Sequence, residues 1–384
     1  MTRINVINPW MGADEILAIT EVIESGWIAQ GPRVAEFETE FAVVMKAEYA
    51  VATSNCTSAL HLALMVAGIG PGDDVVVPSL SFIATSNAPT YVGARSVFAD
   101  VDPHTGNVTA ATISEALTEA TKAVIVVDQG GLPVDLGPIR ALCDPLGIVV
   151  IEDAACGAGS TYRGRPVGAG AELTTWSFHQ GTLLTTGEGG MLTTSNEQWA
   201  ARARQLREHS MSVSAGIGGT NVLAPPEEYL EVGFNFTMTD LQAALGLIQL
   251  GRLSEIVRRR RQLAARYEEL LAGVPGLRPV TDPSWGESNF QSYWVEVDPT
   301  AVADREAIME ALAVADISAR RGVMAAHRQP AYWDVDTGDA SLAMTEWLTD
   351  NTLILPLYHQ LTEVDQDRVV AVLKTVAPVG EAIS

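Results

Sequence analysis

The stretch Trp176–Leu192 reads W-S-F-H-Q-G-T-L-L-T-T-G-E-G-G-M-L and crowds reactive side chains into a glycine-rich loop. His179 and Glu188 are its acid/base candidates, and Cys156, upstream in I-E-D-A-A-C, is a third. Thr182 stands near the centre of the loop. Its hydroxyl cannot form an imine, and it is far too weak an acid or base to shuttle a proton as an amine does. A second stretch, Ser54-Asn55-Cys56-Thr57-Ser58, reads as a turn between a short strand at Val51–Thr53 and a helix over Ala59–Ala67. A helix N-terminus offers unpaired N–H groups and the positive end of its dipole, so such a turn can seat a phosphate. The same strand–turn–helix is also a common structural device, and the spacing alone leaves both open. Asp153, at a strand end, either caps a helix start or serves a buried partner. Phe82, in P-S-L-S-F-I-A-T, is either ordinary core or a flat face for a ring.

The elements that must position these groups alternate. Apolar residues recur at helical spacing over 12–25 and again over Arg33–Lys46. Short, mostly Val-rich runs at Asp74–Val77, Ser96–Asp100 and Ala123–Val127 read as buried strands; Gly147–Ile151 then leads into Glu152-Asp153, and Met191–Thr194 closes the region. This alternation argues an open α/β sheet with ligands at the carboxyl ends of its strands. Beyond Gly233, helices are expected over Leu241–Leu250 and from Arg252 to Ala272, the latter carrying Arg258–Arg261 as a solvated or intersubunit salt-bridge face. The remainder, with a strand at Ser292–Val297 and helices at Asp304–Ala315 and Glu363–Val376, suits a smaller α+β unit. The expected division is 1–250 and 251–384.

A net charge of −23 argues against nucleic acid or an anionic membrane as partner. Three cysteines without a C-x-x-C pair fit a reducing compartment and no metal site. No apolar run reaches the ~18 residues of a membrane helix, and the first residues lack a signal-like apolar core. A cytoplasmic protein is expected.

The central stretch resembles the active-site segment of the DegT/DnrJ/StrS sugar aminotransferase family, S-F-H-x-x-K-x-x-T-T-G-E-G-G. Ser177, Phe178, His179, Thr185, Thr186, Gly187, Glu188, Gly189 and Gly190 match it without a gap. The resemblance extends through Gly31-Pro32, Gly72-Asp73-Asp74-Val75, Gly233-Phe234-Asn235-Phe236, His327-Arg328-Gln329-Pro330 and Leu355-Pro356-Leu357-Tyr358. It implies the aspartate-aminotransferase-like fold type I: a large, mainly parallel sheet domain, a smaller C-terminal α+β domain, and active sites shared across a homodimer. It also implies pyridoxal phosphate as cofactor. Asp153 would then hold the ring nitrogen protonated and Phe82 would stack on the ring. Cys56, Thr57, Ser58, Ser177 and a neighbouring subunit's Asn235 would hold the phosphate.

Four positions depart from the family pattern. Thr182 occupies the place of the lysine that forms the Schiff base, and the only lysines are Lys46, Lys122 and Lys374. Cys156 stands for the usual His or Gln, Asp128 for a frequent His, and Thr237 for a common Arg. These losses are expected to cluster at the cofactor's reactive edge, and His179 becomes the base nearest the reacting carbon. The segment is closest to cyclitol and amino-hydroxybenzoate synthase-like members, which points to natural-product or antibiotic biosynthesis. One consequent expectation is an enzyme that binds pyridoxal or pyridoxamine phosphate non-covalently and performs non-standard chemistry on a sugar- or cyclitol-like substrate. Others are a cofactor-independent enzyme reusing the pocket, a non-catalytic partner of an active paralogue, and an ordinary aminotransferase with Thr182 introduced.

Overall fold

The computed structural model describes residues 3–212, 226–300, 303–334 and 341–376. Helix α1 (Ala13–Ser25) begins where Glu15 accepts from Gly12 N–H at 2.7 Å and ends at Gly26 in the left-handed region. Helix α2 (Pro32–Met45) opens on proline, whose missing N–H costs nothing in a first turn. Both pack on the long helix α5 (Asp240–Leu271), which a Thr239–Gln242 capping box starts.

The large sheet contains β1 (Tyr49–Thr53), β2 (Asp74–Pro78), β3 (Arg95–Ala99), β4 (Thr121–Val127), β5 (Val149–Asp153), β6 (Leu173–Ser177) and β7 (Gly190–Thr194). Its order is β1-β7-β6-β5-β4-β2-β3. Strands β3, β2, β4, β5 and β6 run parallel, whereas β7 is antiparallel to both β6 and β1. The buried Val and Ile runs of β2, β4 and β5 fit strands covered on both faces. Helices α3 (Cys56–Val66) and α4 (Ile83–Tyr91) leave the ends of β1 and β2.

Two local expectations change. The helix expected from Ala59 begins at Cys56, because Asn55 caps it by accepting from Ser58 N–H at 2.8 Å. Residues 56–58 are therefore the first helical turn. The two helices expected on either side of Gly251 are one, α5, because packing and the cap outweigh the roughly 1 kcal/mol cost of an internal glycine.

The smaller sheet orders Leu277–Pro279, Tyr293–Val297, Thr352–Leu355 and Arg320–Arg321, all antiparallel. Tyr267 and Leu271 from α5 join its core with Ile308, Leu312, Val369 and Leu373. We propose residues 1–250 and 251–384 as two units, with α5 crossing between them unbroken.

The arginine run in α5 is also more than a solvated face. Arg259 donates to Leu361 O at 2.8 Å and Arg261 to Ser288 O at 2.7 Å. Arg260 is buried and donates to Phe290 O and Gln291 O, both at 2.6 Å. Arg260→Met leaves those two buried carbonyls without donors, so stability should fall by about 2–4 kcal/mol, read as a lower urea midpoint. A midpoint unchanged within error would contradict this role.

Candidate active site

The carboxyl ends of β1, β2, β4, β5 and β6 open on one side of the sheet and carry the candidate groups. After β1 comes the Asn55 cap, with the N–H groups of Cys56 and Thr57 at the free start of α3. Ser54 Oγ lies 3.1 Å from Ser58 Oγ. Phe82, at the start of α4, leaves its ring 71% exposed, unusual for a large apolar side chain. One helical turn later, Thr85 Oγ1 donates to Asp153 Oδ2 at 2.8 Å and meets Ser81 Oγ at 2.9 Å. The other Asp153 oxygen accepts from Ala155 N–H at 3.2 Å and faces Cys56 Sγ at 3.9 Å.

The segment after Ser177 is a tight hairpin. Phe178 N–H donates to Gly189 O, Thr186 N–H to Phe178 O, and Gln180 N–H to Gly187 O. Gly187, at φ +84, takes a conformation that costs a side chain dearly. Beneath the hairpin, Phe178 packs its ring 5.2 Å from Phe37 and 5.4 Å from Phe41. His179 stays half-exposed; its Nδ1 accepts from Gly181 N–H at 3.0 Å, which puts the neutral ring's proton on Nε2. Nε2 lies 3.8 Å from the exposed Glu188 carboxylate. In this arrangement His179 is a hydrogen-bond donor, and acting as a base at Nδ1 requires Gly181 to let go. Thr182 turns inward on its own loop. Its Oγ1 lies 2.8 Å from His179 O, 2.9 Å from Leu184 O and 3.0 Å from Ser177 O, so three carbonyls compete for one proton.

Electrostatically the floor is acidic and buried. Burial raises Asp153, against the opposing hydrogen bond from Thr85. Burial, then the neighbouring Glu152 charge, pushes Asp128 well above the usual carboxylate range. Burial raises Glu152 to about 7, although Gly168 N–H donates to it. Both thiols are likewise held neutral: burial and then Asp153 lift Cys56 well above its ordinary range and bring Cys156 to about 12. A neutral thiol with that acidity is a poor nucleophile or base, which weighs against Cys156 as an acid/base group.

The structure thus brings Cys56, Phe82, Asp153, Cys156, Ser177, His179 and the Thr182 loop to the same end of the sheet. Asp128, expected at the reactive edge, lies close enough to Cys156 for its charge to raise that thiol. It is fully buried, Oδ1 accepts from Val134 N–H at 3.0 Å, and Oδ2 faces the Gly157 backbone. Asn235 is exposed and accepts from Thr237 Oγ1 at 3.2 Å; among the described residues no hydrogen bond joins it to Ser177 or Cys56. All three lysines are exposed, and Lys122 lies toward the amino end of β4, opposite the site. Residues that sequence reasoning missed are Thr85, which steadies Asp153, and Gln291, whose Nε2 donates to Gly181 O at 2.8 Å. The Ser81-x-x-x-Thr85 spacing could have flagged the first; nothing local marks the second.

These residues fit a phosphorylated pyridine: an exposed ring face at Phe82, an acid held at Asp153 with no cation beside it among the described residues, and N–H groups at the start of α3 that no described residue accepts from. The sheet order, the antiparallel β7 and the appended small sheet define fold type I of the pyridoxal phosphate enzymes. Residues 9–374 match the model of the DegT/DnrJ/EryC1/StrS aminotransferase family, and the chain belongs to that family. The aminotransferase TlmJ from Streptoalloteichus hindustanus is 37% identical, with a TM-score of 0.88 over 97% of this chain and 98% of that one. DesV from S. venezuelae is 29% identical, with a TM-score of 0.89 over 98% of each chain. Spr1654 from Streptococcus pneumoniae, described as a sugar aminotransferase and solved in its PMP form, is 26% identical, with a TM-score of 0.90 over 98% of each chain.

Glu152 yields a pH test. Its folded value, about 7, lies above its ordinary 4.5. Its contribution to stability is therefore complete below the ordinary value and lost as pH rises through 7. Relative to Glu152→Gln, the wild type should lose on the order of 3 kcal/mol between mildly acidic and mildly alkaline pH, measured by urea unfolding at each pH. Parallel stability–pH curves for the two proteins would rule this out.

Proposed function

We propose that this protein is a family enzyme that holds pyridoxal or pyridoxamine phosphate without a covalent bond and acts on a sugar- or cyclitol-like substrate. One observation carries the reading. The Thr182 hydroxyl is committed to carbonyls of its own loop, while Asp153, Phe82 and the start of α3 remain furnished for a cofactor. Spr1654, as a described sugar aminotransferase with a PMP form, supports a sugar-like substrate and this cofactor. We place the reaction in natural-product biosynthesis, in a cytoplasmic homodimer whose Asn235 completes the neighbouring pocket.

When bound, the cofactor supplies an electron sink for carbanion-like charge. The chain supplies the rest. Asp153, steadied by Thr85, would hold the proton of the ring nitrogen, and Phe82 would cover one ring face. The N–H groups of Cys56 and Thr57, with the Ser58 and Ser177 hydroxyls, would bind phosphate. His179 offers an N–H at Nε2 beside Glu188, and becomes a base only when Gly181 N–H releases Nδ1. Without an amine at position 182, the affinity rests on these reversible contacts alone.

Titration with pyridoxal phosphate should give a saturable absorbance band resembling the free aldehyde, removable by dialysis. Asp153→Ala should weaken that binding by about 3–5 kcal/mol, because a pyridinium would be left buried and unpaired. After borohydride treatment the wild-type intact mass should carry no cofactor, whereas Thr182→Lys should gain one cofactor mass at residue 182. A covalent adduct at Lys46, Lys122 or Lys374 that tracks activity would overturn the non-covalent reading. Absence of any saturable band would hand the site to cofactor-independent chemistry.

A further inference from the structure

The short segment Ser288–Ser292 touches three of the loops that build the site. Asn289 Nδ2 donates to Cys156 O at 2.7 Å and to Ala158 O at 2.8 Å, beyond β5. Ser292 N–H donates to Gly130 O at 3.0 Å, beyond β4. Gln291 Nε2 donates to Gly181 O at 2.8 Å, beyond β6. The segment is itself tightly held. Asn289 and Gln291 are buried, Gln291 N–H donates to Asn289 Oδ1 at 2.6 Å, and Ser292 Oγ donates to Gln291 Oε1 at 2.7 Å. Phe290 sits at φ +50, strained for a side-chain-bearing residue, and Arg260 fixes its carbonyl. The next residue, Tyr293, begins a central strand of the smaller sheet.

Gly181 is the point where this clasp meets the chemistry. Its carbonyl takes the Gln291 amide, and its N–H holds His179 Nδ1. A side chain at 181 would come within 3.1 Å of that same nitrogen, so the residue's place is set closely from both sides. Strain at Phe290 of this kind persists only where the surroundings over-determine the backbone.

We propose that Gln291 is a positioning residue: through Gly181 it fixes the tautomer and orientation of His179, and it ties the hairpin to the smaller domain's sheet. This deepens the reading of His179 given above and rests on it only for the consequence in turnover. The positioning itself is independent of any cofactor. Anything that displaces the strand beginning at Tyr293 would move the Gly181 carbonyl with it, and so loosen or tighten the hold on Nδ1.

The test uses the full chain without added cofactor, so its outcome stands whether or not pyridoxal phosphate binds. Hydrogen exchange is followed by mass spectrometry over residues 178–187, with Val149–Asp153 as the control segment. Gln291→Ala should speed exchange of the Gln180–Thr182 amides by about three- to tenfold, the effect of losing one hydrogen bond, and leave the control unchanged. Gln291→Glu presents an acceptor to an acceptor once ionised. Protection should then fall as pH rises through the titration of that carboxyl and return as it protonates and regains a donor. The ¹⁵N shifts of His179, assigned with His179→Asn, should report one Nε2–H tautomer in the wild type and a mixture in Gln291→Ala. Unchanged exchange and tautomer in both variants would overturn the proposal. Equal acceleration in the control segment, or a Gln291→Glu protein indifferent to pH, would do so too, since either assigns Gln291 a general structural role.

Discussion

The geometry of the site depends on how closely the start of β7 approaches the turn after β1. A Cβ on Gly190 would lie 2.4 Å from the Asn55 carbonyl carbon and 2.6 Å from Cys56 N. No side chain fits there. The antiparallel pairing of β7 with both β1 and β6 therefore sets Ser177 and the first turn of α3 side by side. Everything else follows from that contact: the hairpin must double back tightly between Ser177 and Gly190, and the Phe37–Phe41–Phe178 cluster supports it from below. The G-E-G-G run thus has a packing explanation that needs no chemistry.

The second constraint is charge. Three carboxylic groups, Asp128, Glu152 and Asp153, are buried near one another, and burial raises all three. Among the described residues Asp128 and Glu152 each keep a buried oxygen without a partner. Asp153 differs, because Thr85 and Ala155 satisfy both its oxygens. The group turned toward the site is thus the best supported of the three. A cationic ring nitrogen would favour ionisation of Asp153 directly and, more weakly with distance, of the other two.

Much of this was legible in sequence, for physical reasons. Parallel strands covered on both faces announce themselves as Val runs, and the turn at 54–58 carries its own capping residue, Asn55. The motif from Ser177 to Gly190 showed where the loop lies. Sequence did not show which way its side chains turn, and orientation decides function here. Thr182 could have faced the pocket and instead turns its one donor toward the Ser177, His179 and Leu184 carbonyls. Asp128, expected at the reactive edge, is fully buried with one oxygen on the Gly157 side. The arginines of α5 looked like solvent-facing charge; their carbonyl partners lie up to about a hundred residues away, beyond any local pattern.

Position 182 gathers these threads. A lysine amine there would bring three donors and a long reach out of the loop. Threonine brings one donor and none of the reach, and the loop closes around it. What the hairpin retains toward the pocket is His179, held at one nitrogen by Gly181 and presenting the other near Glu188. On the proposed reading, control of proton movement would pass from a flexible amine to a ring whose freedom is set by one backbone N–H. The residue that anchors that backbone, Gln291, comes from the smaller domain. A site arranged this way answers to the position of the small sheet before it answers to any group at 182.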